Sequence, residues 1–130
     1  MTIQVTIDGE HIHDIESFYE EINRVFMAEE DWKLGASLDA FDDLLYGGYG
    51  IAKEAKKVEL IWKNAEKSRL GLGYAITKAY YEQKLQPGSS YNKALFQEKL
   101  QDLEGGHGQT YFDLLVTIIA EHTNITLVLA

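Results

Sequence analysis

The chain opens on a strict alternation. Ile3, Val5 and Ile7 alternate with Gln4, Thr6 and Asp8, a period of two that predicts a strand with one buried face, and Gly9 ends it. The period then lengthens. Ile15, Phe18, Ile22 and Val25, with Phe26 beside them, fall on one apolar stripe of a helix that Asp14 is placed to cap. From Ala28 to Ala36 the chain is irregular and acidic, with Trp32 inside it and Gly35 near its end. Ser37 can cap a short helix through Tyr46, which Gly47 and Gly48 would stop, because glycine tolerates the left-handed turn after a helix. Val58 to Trp62 reads as a second strand. Residues 72–85 and 92–103 read as helices separated by Pro87 and Gly88, and Gly105 and Gly106 break the second. Thr110 opens a further helix with Phe112, Leu115 and Ile119 on one side. Ile125 to Ala130 is almost wholly apolar and rich in β-branched residues, which predicts a strand covered on both faces. Strands separated by helices imply right-handed parallel crossovers, so the expected class is α/β with a small parallel sheet and about five helices.

Composition sharpens this picture at two points. A chain of 130 residues fits one domain and can bury a core without a staple, and it has no cysteine to make one. Its start lacks the basic opening and apolar stretch of a signal peptide, and no apolar run approaches the roughly 20 residues that span a bilayer. A soluble cytoplasmic protein is the expectation, with no membrane contact. Charge is the second point. The formal net charge is −9, and residues 1–50 carry twelve acids against two bases, Arg24 and Lys33. Residues 51–130 are nearly balanced, with nine acids and ten bases. Phosphates would be repelled, so nucleic acid is excluded as the expected partner, whereas a basic protein would be steered in.

The short helix near residues 38–46 carries the most chemistry. Leu38, Phe41, Leu44 and Leu45 can face a core, while Asp39 and Asp43 lie four apart on one face with Asp42 beside them. Like charges at that spacing cost a helix about 0.2–0.5 kcal/mol, and the helix dipole offsets this for Asp39 more than for Asp43. A solvated acidic face is one reading. The other is three carboxylates held ready for Arg, Lys or His of a partner. Use of the pair as acid and base would require one carboxyl in an apolar pocket, which nothing around these residues signals. The acids also lack the spacing of a calcium loop. The histidines lack zinc spacing, so His11, His13, His107 and His122 read as surface or capping residues, and no metal or other cofactor is expected. Gly71-Leu72-Gly73 reads as a helix entry rather than a phosphate loop, and no Ser or Cys nucleophile motif occurs. Tyr80, Tyr81, Phe96 and Leu100 read as core.

Taken together, these segments resemble the barstar family, inhibitors of the ribonuclease barnase. Ile7-Asp-Gly-Glu-His-Ile12 resembles the family's opening strand and turn, and Leu38-Asp-Ala-Phe-Asp-Asp-Leu-Leu-Tyr-Gly47 its inhibitory helix. Trp62 falls where the family has a Trp in its second strand, and Asn124 to Ala130 resembles its last strand. The likeness covers residues 3–66 and 109–130, and it implies a three-stranded parallel sheet flanked by helices within a single domain, 1–130. By resemblance, Asp43 matches the acid inserted into the nuclease active site in place of a substrate phosphate. Asp39 matches the second acid of that helix, Gly47 the glycine after it, and Glu121 an acid that faces a basic rim. Asp42 and Tyr46 belong to the same partner-binding stretch, and Trp32 lies one position from a family aromatic that packs on the nuclease. Asp42 and Gly48 stand where aromatics are usual, and Thr117 replaces an acid one turn before Glu121, which argues against barnase itself as the target. A helical insertion at about 67–108 is the largest departure.

The resemblance implies a non-enzymatic protein whose partner is a basic ribonuclease or nuclease toxin and whose role is that of an immunity protein; a monomer is expected. The alternative is a module of the same fold that regulates a non-nuclease partner. A small hydrolase using Asp39 and Asp43 is the third possibility, tested by turnover that disappears in Asp43→Asn.

Overall fold

The computed structural model describes residues 2–88 and 91–130. Its elements follow in the order β1 (Thr2–Asp8), a 3-10 turn (Gly9–His11), α1 (Ile15–Phe26), α2 (Leu38–Leu45), β2 (Lys57–Lys63), α3 (Ala65–Gly71), α4 (Tyr74–Lys84), α5 (Lys93–Glu104), α6 (Tyr111–Ala120) and β3 (Ile125–Leu129). The strands form one parallel sheet in the order β1-β2-β3. The described residues thus hold six α-helices rather than about five. The additional one, α3, begins at Asn64 in the left-handed region (φ 53) without a side-chain cap, and it exposes Leu70, so neither a cap nor an apolar stripe announced it.

The caps form as expected elsewhere. The Asp14 carboxylate accepts from Ser17 N at 2.7 Å, and the Thr110 hydroxyl accepts from Asp113 N at 3.2 Å, each within a reciprocal capping box. Gly9 lies so close to the Asn64 carbonyl that an added Cβ would collide with backbone, which keeps the end of β1 tight against the start of α3. The buried Glu21 carboxylate completes this corner. It accepts from Asp8 N at 2.8 Å and from both Arg24 Nε and an Arg24 terminal nitrogen, at 2.8 and 2.7 Å, with His11 Nδ1 at 3.0 Å.

Register decides which side chains meet. Ile3, Val58 and Ile125 form one row, Val5, Leu60 and Leu127 the next, and Ile7, Trp62 and Leu129 the third. Apart from Leu129, which is exposed, these rows face the core, where Leu60 and Trp62 are wholly buried and Phe18, Ile22, Phe41, Phe112 and Leu115 pack on the same cluster. Trp62 lies 5.6 Å from Phe18 and 5.0 Å from Phe112, and its ring N–H donates to Ser68 Oγ at 2.9 Å. The intervening rows contain Gln4, Glu59 and Thr126, then Thr6, Ile61 and Val128. Gln4, Thr6, Thr126 and Val128 are exposed. The expectation that β3 is covered on both faces is therefore corrected. β3 is an edge strand, its Ile125 and Leu127 half-buried and its alternate residues in solvent.

The segment 72–104 is joined to this core chiefly at one end. Thr77 Oγ1 donates to Gly73 O and accepts from Tyr111 N, both at 2.7 Å, and Phe112 N donates to Leu72 O at 3.2 Å. Thr77 of α4 and Leu72, which caps α3, thereby satisfy two amides at the start of α6 that no turn of α6 could reach. The Tyr19 and Tyr111 hydroxyls share a buried hydrogen bond of 2.7 Å nearby. Helix α5 rests on α4 through Tyr81 and Phe96, and Leu103 is its one buried residue.

Candidate functional site

The expected site begins with the cap of α2. Ser37 Oγ accepts from Ala40 N at 3.0 Å, which starts the helix with Asp39 in its first turn. Phe41, Leu44 and Leu45 are buried, so the helix can turn only one side outward. Asp39 and Asp43 stand exposed on that side, and among the described residues neither carboxylate enters an ion pair or a side-chain hydrogen bond. Tyr46 follows, exposed across 74% of its surface, and Gly47 takes φ 85, the left-handed conformation expected after a helix.

The third carboxylate is not free. Asp42 Oδ1 lies 2.7 Å from His122 Nε2. His122 is buried, its side chain only 5% exposed, which corrects its reading as a surface residue. The edge of Tyr46 packs on the imidazole with centroids 4.6 Å apart. Helices α2 and α6 therefore meet at their C-terminal ends, and Glu121, the cap residue of α6, is exposed beside them. The structure thus gathers Asp42, Asp43, Tyr46, Gly47 and Glu121 from two distant parts of the chain.

Trp32 joins the site through a residue the sequence did not single out. Its ring lies 4.8 Å from Tyr49, edge to face. Burial, and then the nearby Asp43 charge, hold the Tyr49 phenol above its ordinary range. Tyr49 follows Gly48, the position where an aromatic would be usual, so the signal was an aromatic displaced by one residue. The loop carrying Trp32 is fixed from both sides. Asn23 brackets Leu34 with bonds of 2.7 and 3.2 Å, and Glu30 accepts from Gly50 N at 2.8 Å. Glu20 and Asp31 line the cleft beside Trp32. At the other end of α2, burial foremost lifts the Tyr80 phenol of α4, with the Asp39 charge the least of several contributions.

The three-stranded parallel sheet thus sits beside a short capped helix whose Asp39 and Asp43 are exposed and, among the described residues, unpaired. The chain belongs to the barstar family, whose model, described as barstar (barnase inhibitor), matches residues 2–80. The matched range includes Trp32, Asp39, Asp42, Asp43, Tyr46 and Gly47 and runs into α4, past the expected start of the insertion, whereas Glu121 lies beyond it. No curated protein and no solved structure matches the chain.

Proposed function

We propose that this chain is an inhibitor of a basic ribonuclease, in the role of an immunity protein, and that it acts by covering the nuclease active site with Asp43 and Asp39. Tyr46, Trp32 and Glu121 flank these acids as contacts, and Gly47 ends the contact stretch with the turn after α2. The observation that carries the reading is the pair of exposed, unpaired carboxylates on the capped helix of a barstar-family chain. Such groups suit charge-assisted bonding to Arg, Lys or His and lack the apolar enclosure that general acid catalysis requires. The protein acts as a cytoplasmic monomer without a cofactor, and no helix among the described residues is long and apolar enough to cross a membrane.

The test is titration of RNA cleavage by small basic ribonucleases, including any encoded beside this chain, with wild type and Asp43→Ala. Stoichiometric inhibition is expected from the wild type. The variant is expected to bind at least about 30-fold more weakly, the effect of losing about 2 kcal/mol at a central charged anchor, of which barnase–barstar is a known example. Wild type that inhibits no nuclease would refute the proposal and move the function to regulation of another protein.

A further inference from the structure

We propose that Asp42 and His122 form a latch that positions the acidic helix, so that Asp42 serves the site from inside rather than touching the partner. The inference rests on the inhibitor reading for its effect on binding, but the latch itself is a property of the free protein. Four observations carry it. The Asp42–His122 bond is 2.7 Å long and one partner is buried. Among the described residues it is the sole side-chain hydrogen bond between α2 and the rest of the chain apart from the Ser37 cap. His122 is itself anchored, since its N–H donates to Ile119 O at 3.1 Å and its carbonyl accepts from Ile125 N at 3.0 Å, at the entry to β3. Finally, each member of the pair adjoins a proposed contact acid, Asp42 next to Asp43 and His122 next to Glu121.

The consequence is geometric. Helix α2 has only eight residues and no basic side chain in its last turn to complement the helix dipole, so its end gains from an outside anchor in addition to its glycine terminus. The latch, with Tyr46 packed over the imidazole, holds the Asp43 end of α2 at a set distance from the Glu121 end of α6. Two charges fixed before encounter spare the complex the ordering cost of fixing them afterwards. Losing the latch therefore speeds dissociation and leaves charge-steered association unchanged.

Conservative replacements separate this role from a contact. His122→Gln keeps an N–H donor near the Nε2 position, and Asp42→Asn keeps an acceptor while removing the charge. His122→Ala and Asp42→Ala are expected to raise the dissociation rate from the nuclease about tenfold, with the association rate within about twofold. His122→Gln and Asp42→Asn are expected to stay within about threefold of wild type. Asp42→Asn as damaging as Asp43→Asn would overturn the proposal, because the charge would then be meeting the partner. A second readout needs no partner. Amide exchange at Tyr46 and Gly47, whose N–H groups bond Asp43 O and Leu44 O, is expected to quicken about tenfold in His122→Ala and to recover in His122→Gln. Unchanged exchange in the Ala variant, or loss without recovery in the Gln variant, refutes the latch. Quickened exchange in a protein that inhibits no nuclease would retain the latch and refute only the inhibitor reading. Should the Ala variants not fold, the Gln and Asn variants decide the matter alone.

Discussion

Glu21 shows how one residue can matter to the fold without announcing itself. Burial alone would raise its pKa, but the hydrogen bonds from Arg24, Asp8 N–H and His11 outweigh burial and hold the carboxyl below its usual range. A carboxylate whose folded pKa lies below its unfolded value stabilises the protein fully above the unfolded value, near 4.3, and loses that stabilisation as pH falls through the folded one. Asp14 and Asp8, lowered chiefly by hydrogen bonds to Ser17 and Asn64, act with the same sign. Stability is therefore expected to drop steeply below about pH 4, and Glu21→Gln to flatten that acid limb while costing about 1–3 kcal/mol at pH 7. Denaturant unfolding across pH 2–7 checks both, and an unchanged acid limb in the variant would remove Glu21 from the account. The residues that cap helices were legible, because Asp14, Ser37 and Thr110 act on amides three positions away. The roles of Glu21 and His122 were not, since beyond the neighbouring Arg24 the partners of Glu21 are Asp8 and His11, 13 and 10 residues away, and Asp42 is 80 residues from His122, distances that no local spacing records.

Elements were legible where a single face had to be buried. The stripe of α1, the short capped α2 and the alternation of β1 all follow from period and cap, and each forms within a residue or two of its expected bounds. The apolar run of β3 misled because composition does not show where a strand sits in the sheet. As an edge strand, β3 turns only alternate residues to the core. Segment 72–104 combines both cases, a tied helix and a leaning one. Thr77 carries the tie, and Thr77→Val would leave the Tyr111 N–H without its acceptor in a buried setting. That change is expected to cost about 1–3 kcal/mol in denaturant unfolding. Among the described residues helix α5 has no such tie and buries only Leu103, so its amides are expected to exchange well before those of β2 and α6. Equal protection of α5 and β2 would show that the segment is held by more than α4.

At the scale of the whole molecule, the fold sorts the acids of the N-terminal half into two sets. Asp8, Glu10, Asp14, Glu21, Glu30 and Asp42 are engaged by the chain itself, in caps, turns and ion pairs. Glu16, Glu20, Glu29, Asp31, Asp39 and Asp43 are exposed, and among the described residues none is paired. Several of these lie along one band. Glu20 and Asp31 line the cleft beside Trp32, Trp32 packs on Tyr49, Tyr49 feels the charge of Asp43, and the end of α2 meets the end of α6 at His122, next in sequence to Glu121. Such a band would attract a basic partner from beyond contact range. Screening acts on that attraction and much less on contacts already formed, since the Debye length shrinks from about 30 Å at 0.01 M salt to about 3 Å at 1 M. The association rate with a basic nuclease is therefore expected to fall about tenfold or more across that range, while dissociation changes little. Asp31→Asn with Glu20→Gln, away from the helix, should lower the low-salt association rate and flatten its salt dependence, yet leave the dissociation rate near wild type. Stopped-flow mixing at several salt concentrations decides the point. A flat response in the wild type would mean that the acidic band does not face the partner, and an effect of the pair on dissociation alone would make Glu20 and Asp31 contacts rather than sources of the field.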